Sequence, residues 1–172
     1  MQTSVLILYD PKGPAIVNLA DAIAKGVEKH DSTSALLKSI ESATTTDLID
    51  SDAIILGSPN WSGITGTFKD WLDKQGDLWE EGSLAGKPGA AFTSGWGRHS
   101  GLEITLSQLI HWMLACGMLI VGLPWSNTMK ESGSYYGVTA TAGVNASDLI
   151  QAQDLGSRVS QITARLRRDK PD

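Results

Sequence analysis

Runs of consecutive apolar residues, not alternating ones, recur along the chain: Val5 to Tyr9, Ala53 to Gly57, Gly89 to Thr93 and Met118 to Gly122, with a weaker run at Ala35 to Leu37. Such runs predict strands buried on both faces. Helical spacing fills the intervals. Ile16, Leu19, Ala20, Ile23 and Val27 share one face of a predicted helix, and Leu102, Leu106, Leu109, Ile110, Met113 and Leu114 mark another. A short capped helix is expected at Thr46 to Ile49 and one from about Thr67 to Lys74, while Ser147 is placed to cap a last helix carrying Leu155, Val159, Ile162 and Leu166. The alternation predicts an α/β fold: a five-stranded parallel sheet, doubly wound with helices on both faces. With no repeat, low-complexity stretch or dividing linker, one domain over residues 1–172 is expected.

In such sheets a ligand sits beyond the carboxyl ends of the strands. The loops to inspect are therefore Asp10 to Ala15, Ser58 to Gly66, Ser94 to Gly101 and Pro124 to Gly143. Two of them share a character. Ser58-Pro59-Asn60-Trp61-Ser62-Gly63-Ile64-Thr65-Gly66 and Thr93-Ser94-Gly95-Trp96-Gly97-Arg98-His99-Ser100-Gly101 each carry an indole among glycines and small polar residues. Glycine lets backbone N–H groups approach a heteroaromatic edge, and an indole stacks on its face. His99 and Arg98 are read as solvated loop residues.

Charge narrows the partners. The net charge is -5 over 172 residues, 41% of them apolar, and the basic residues are spread thinly except for Arg165, Arg167 and Arg168. That argues against nucleic acid, and the C-terminal arginines are read as complementing a helix dipole. Cys116 is the one cysteine. With no leader before the first strand-like run and no apolar stretch near 20 residues, the expectation is a cytoplasmic protein without a membrane span. No Gly-x-Gly-x-x-Gly, Gly-Lys-Ser/Thr, Gly-x-Ser-x-Gly or spaced metal-ligand set occurs.

The ordered set Gly57-Ser58-Pro59-Asn60-Trp61-Ser62-Gly63-Ile64-Thr65-Gly66, Leu78-Trp79, Gly86-Lys87-Pro88-Gly89-Ala90-Ala91-Phe92-Thr93-Ser94, Gly101-Leu102-Glu103, Gly117 to Pro124 and Tyr136 to Gly143 resembles the WrbA-like family of flavodoxin-fold NAD(P)H:quinone oxidoreductases. The resemblance implies a flavodoxin-like fold, FMN as cofactor, NAD(P)H as co-substrate and a quinone or similar planar acceptor. It implies a homodimer or homotetramer. Flavin contacts would come from Lys12, Gly13, Ala15 and Ile16, from Pro59, Asn60, Trp61, Ser62, Gly63 and Ile64, and from Thr93, Ser94, Gly95, Trp96 and Gly97. No side-chain nucleophile is needed, because the flavin supplies the chemistry.

Two features depart from that family. Its first loop is rich in hydroxyls and glycine, whereas Asp10-Pro11-Lys12-Gly13-Pro14-Ala15-Ile16-Val17-Asn18 has no Ser or Thr, two prolines and an acid. A carboxylate about 4 Å from a phosphate charge costs on the order of 4 kcal/mol at an effective dielectric of 20. Where the family commonly carries a histidine before Gly117, this chain has Ala115-Cys116. A degenerate relative that binds no FMN and acts through another ligand or a protein partner is the alternative, and a flavodoxin-like electron carrier the third.

Overall fold

The computed structural model describes residues 2–168. Its elements alternate as β1 (Thr3–Tyr9), α1 (Pro14–Val27), β2 (Thr33–Ser39), α2 (Thr45–Asp50), β3 (Ala53–Pro59), α3 (Gly66–Asp73), α4 (Gly76–Glu80), β4 (Pro88–Gly95), α5 (Leu102–Ala115), β5 (Leu119–Ile120), α6 (Met129–Ser132), β6 (Val138–Thr141) and α7 (Ala146–Arg168). The strands are parallel in the order β2-β1-β3-β4-β5, with β6 also beside β4. Order reverses between β1 and β3, which places the switch point above their carboxyl ends.

The continuous apolar runs divide their side chains between two cores. Val5, Ile7 and Ile55 face α1 and α7 with Ile16, Leu19, Ile23, Leu155 and Val159. Leu6, Leu8, Ile54 and Leu56 face the other layer with Phe68, Leu106, Leu109 and Met113. Complete burial of each such aliphatic side chain contributes roughly 1.5–3 kcal/mol. Helices α1 and α7 cross at two glycines: a Cβ on Gly156 would stand 2.1 Å from the Ile23 carbonyl oxygen, and one on Gly26 would stand 2.0 Å from that of Gln153.

The fifth strand position is filled in two pieces. The Met118 to Gly122 run pairs only through Leu119 and Ile120, opposite Pro88 and Gly89. After Val121 the chain leaves the sheet, where Pro124 offers no donor to a ladder. It returns at Val138 to pair Phe92 through Gly95. The expected loop Pro124 to Gly143 therefore contains a strand, too short at four residues to stand out in the sequence.

Ser147 is not the cap expected of it. Asn145 Oδ1 accepts from the Asp148 N–H and Asp148 Oδ2 from the Asn145 N–H, each at 3.0 Å, while the Ser147 hydroxyl donates to Glu131. This reciprocal pair satisfies two orphan donors at the start of α7. Of the basic cluster, Arg167 reaches Asp52 (3.2 Å) and the Gln2 carbonyl (2.9 Å), so it fastens α7 to the start of β1. The Arg168 side chain lies outside the described residues. Among the described residues no helix is long and apolar enough to cross a membrane.

Candidate functional site

The loops after β1, β3, β4 and β6 close around one cleft of about 520 Å3. Lys12, Gly13 and Ala15 form one end, Pro59, Asn60 and Trp61 one wall, and Ser94, Gly95 and Trp96 another. The size falls within the usual range for small-molecule sites. Trp61 is 68% exposed and Trp96 92%. Two large apolar rings thus stand uncovered on the same cavity, as a planar ligand requires of its walls.

At the far end the first turn of α1 is open. Gly13, at φ +107, leads into Pro14; no side chain caps this terminus and its first turn holds no acid. The N–H groups of Ala15 and Ile16 are therefore left to an outside acceptor, and the helix dipole favours an anion there. The Ile16 side chain is fully buried in the core, so only its main chain serves this end.

The Asp10 carboxylate is engaged by the start of α3 rather than left open to that anion site. It is 1% exposed and accepts from the Thr65 hydroxyl at 2.5 Å, the Thr67 hydroxyl at 2.8 Å and the Lys12 N–H at 3.2 Å. Thr65 in turn caps α3 by accepting from the Phe68 N–H at 3.2 Å. The acid thus sits at the N-terminus of α3, where the dipole favours a negative charge.

Asn60 joins the two indole-bearing turns. Its amide Nδ2 donates to the Ser100 carbonyl at 2.7 Å, and its Oδ1 accepts from the Gly63 N–H at 3.0 Å and the Thr105 hydroxyl at 3.1 Å. Its main-chain N–H donates to the Ser94 carbonyl at 2.7 Å. Ser62, at φ +62, completes the tight turn in which the Trp61 N–H reaches the Gly63 carbonyl.

Other expected contact residues stand behind the cleft wall. Gly63 is buried against Gln108, whose Oε1 accepts the Ile64 N–H at 2.8 Å. Thr93 is fully buried and its hydroxyl donates to the Ser58 carbonyl at 2.7 Å. Ser62, Gly63, Ile64, Thr93 and Gly97 do not line the cavity. Arg98 and His99 are exposed and line a separate hollow next to it. Cys116 packs in the core, where burial pushes its thiol pKa up.

A family model for NADPH-dependent FMN reductase matches residues 12–131. An NAD(P)H dehydrogenase (quinone) of Archaeoglobus fulgidus is 42% identical over 131 residues, covering 76% of this chain and 69% of the relative. This chain belongs to the NADPH-dependent FMN reductase family. A second relative, an NAD(P)H dehydrogenase (quinone) of Solidesulfovibrio magneticus, is 31% identical over 95% of this chain and 99% of its own length. The flavodoxin-like, WrbA-like protein of Agrobacterium tumefaciens superposes with a TM-score of 0.76 at 23% identity, covering 96% of this chain and 99% of that one, which fixes the fold.

For a member of this family the cleft is complete in a way the sequence did not reveal. Asn18, one turn into α1, and Ala142, Gly143 and Val144, which follow β6, also line it. Asn18 is exposed, and its side chain makes no hydrogen bond to the described residues. The signal for the β6 loop was Ala142-Gly143 after a hydroxyl-bearing strand; Ala142 takes φ +53, a left-handed conformation that turns the chain over the cleft. Apolar walls, polar backbone at the floor and an open helix terminus beside a lysine fit a phosphorylated flavin.

Proposed function

We propose that this chain is an FMN-dependent NAD(P)H:quinone oxidoreductase whose cofactor occupies the cleft between the Trp61 and Trp96 turns. The observation that carries the reading is the pair of exposed indoles on one cavity that ends at an uncapped, acid-free helix N-terminus. FMN held there would supply two-electron chemistry between a nicotinamide donor and an acceptor.

The chain's own work is binding and orientation. Trp61 and Trp96 supply apolar faces, and Pro59, Ser94 and Gly95 lie along the cavity between them. Asn60 holds both turns at one spacing through its bonds to Gly63 and Ser100. Lys12, with the N–H groups of Gly13, Ala15 and Ile16, receives the phosphate. Ser62, Gly63, Ile64, Thr93 and Gly97 act by shaping these turns. The exposed mouth leaves room for donor and acceptor in turn. The lone buried thiol is in keeping with a reducing cytoplasm. One domain suffices for the site, and exposed Trp79 and Trp125 offer area for a homo-oligomer.

The alternative, a chain that has lost FMN, drew its support from the acid in the first loop. Engagement of Asp10 with Thr65 and Thr67 removes that support. The test is turnover. Purified protein supplied with FMN should oxidise NADH or NADPH only when a benzoquinone is present as acceptor. Flavin binding without turnover would leave a carrier.

A further inference from the structure

If the cleft holds FMN, as proposed, the donors left in the first loop decide how the site selects its flavin. The Asp10 N–H is spent on the Gly57 carbonyl at 3.0 Å and the Lys12 N–H on the Asp10 carboxylate at 3.2 Å. Pro11 and Pro14 have no N–H. The main chain thus leaves only the donors of Gly13, Ala15 and Ile16, and no hydroxyl occurs between Asp10 and Asn18. A phosphate dianion has more acceptor sites than three N–H groups fill.

Lys12 is the one charged residue among those lining the cleft. Its ammonium donates to the Thr67 hydroxyl at 2.7 Å and stands 3.8 Å from Asp10 Oδ2 and 5.9 Å from the Trp61 ring centroid. Its side chain is 43% exposed, so the ammonium is open to an anion entering from solvent. The nearby acid does not cancel it, because three donors and the α3 terminus already share that carboxylate's charge.

We infer that Lys12 is the specificity-determining residue for phosphorylated over unphosphorylated flavin, replacing a hydroxyl-lined loop with a single cation parked on Thr67. Selectivity carried by one half-exposed charge is screened by salt. Selectivity carried by buried N–H groups is much less so.

The experiment is a flavin-fluorescence titration of the full chain with FMN and with riboflavin, at low and high salt, for wild type, Lys12→Met and Lys12→Arg. In wild type, FMN should bind more tightly than riboflavin, with the preference shrinking at high salt. Lys12→Met should lower FMN affinity by about tenfold or more and leave riboflavin within about twofold, the loss of one charge-assisted bond. Lys12→Arg should retain most of the preference. An unchanged FMN-to-riboflavin ratio in Lys12→Met would overturn this inference while leaving the flavin site intact. Failure of folded wild type to bind either flavin would overturn the FMN reading itself, and this inference with it.

Discussion

The hydroxyl of Thr65 donates to the carboxylate of Asp10 across 2.5 Å, joining the end of β1 to the cap of α3. That bond decides the character of the first loop. An acid that the sequence alone sets against a phosphate is instead consumed as the anchor of a neighbouring helix.

Replacing Asp10 with Ala should therefore weaken the fold more than it helps the ligand. Two threonine hydroxyls and the Lys12 N–H lose their acceptor at a site that is 1% exposed. A group stranded away from water, as the buried Thr65 hydroxyl would be, costs about 1–3 kcal/mol. Urea denaturation should show a lower midpoint, whereas an unchanged midpoint would mean that water replaces the carboxylate without loss.

Asn60→Ala is expected to separate the two indole-bearing turns. Bonds to Ser100, Gly63 and Thr105 disappear together, for a stability loss of about 1–2 kcal/mol. FMN affinity should fall further than that loss alone explains, because the cleft width is no longer held. Titration of a variant shown by circular dichroism to be folded measures it.

Gly156→Ala should be costly although alanine favours helices. Its Cβ would lie 2.1 Å from the Ile23 carbonyl oxygen, so α1 and α7 must move apart. Overpacking of this kind costs about 1–3 kcal/mol. A variant as stable as wild type in urea would show that the crossing is looser than described.

Asp47 supplies a pH dependence. Burial raises its pKa, but bonds from Lys38 (2.7 Å) and from the main chain and hydroxyl of Thr44 outweigh that and hold the carboxyl below its ordinary value. A depressed native pKa means stability that is present above the unfolded value of about 3.9 and is lost as pH falls through the native one. The stability gap between wild type and Asp47→Asn should hold at neutral pH and shrink below about pH 4. Urea midpoints across that range check the sign.

The strands and the two indole-bearing turns were legible because their signals are local. Buried runs such as Ala53 to Gly57 and helical spacing such as Ile16, Leu19, Ile23 depend only on near neighbours. What the sequence concealed is long-range. The Asp10 carboxylate finds Thr65 across 55 positions, and Asn60 finds Ser100 across 40. β6 gains its identity from pairing with Phe92 to Gly95, since a four-residue run, although three of its residues are β-branched, is too short to mark a strand by itself. Asn18 joins the cleft because the first turns of α1 face it, a placement no local pattern signals. Conversely Thr93, Gly63 and Ile64 lie in the right turns yet spend their polar groups within the protein, on the Ser58 carbonyl, Asn60 Oδ1 and Gln108 Oε1 respectively.

The central claim is that Trp61 and Trp96 are the two walls of a flavin site. The most direct measurement follows FMN fluorescence as the full chain is titrated in, for wild type and for the double variant Trp61→Ala, Trp96→Ala. Saturable quenching at one flavin per chain in wild type, weakened about tenfold or more without the two indoles, is the predicted result, since base–aromatic stacking alone contributes about 1–3 kcal/mol per ring. Equal quenching and equal affinity in both proteins would contradict the account.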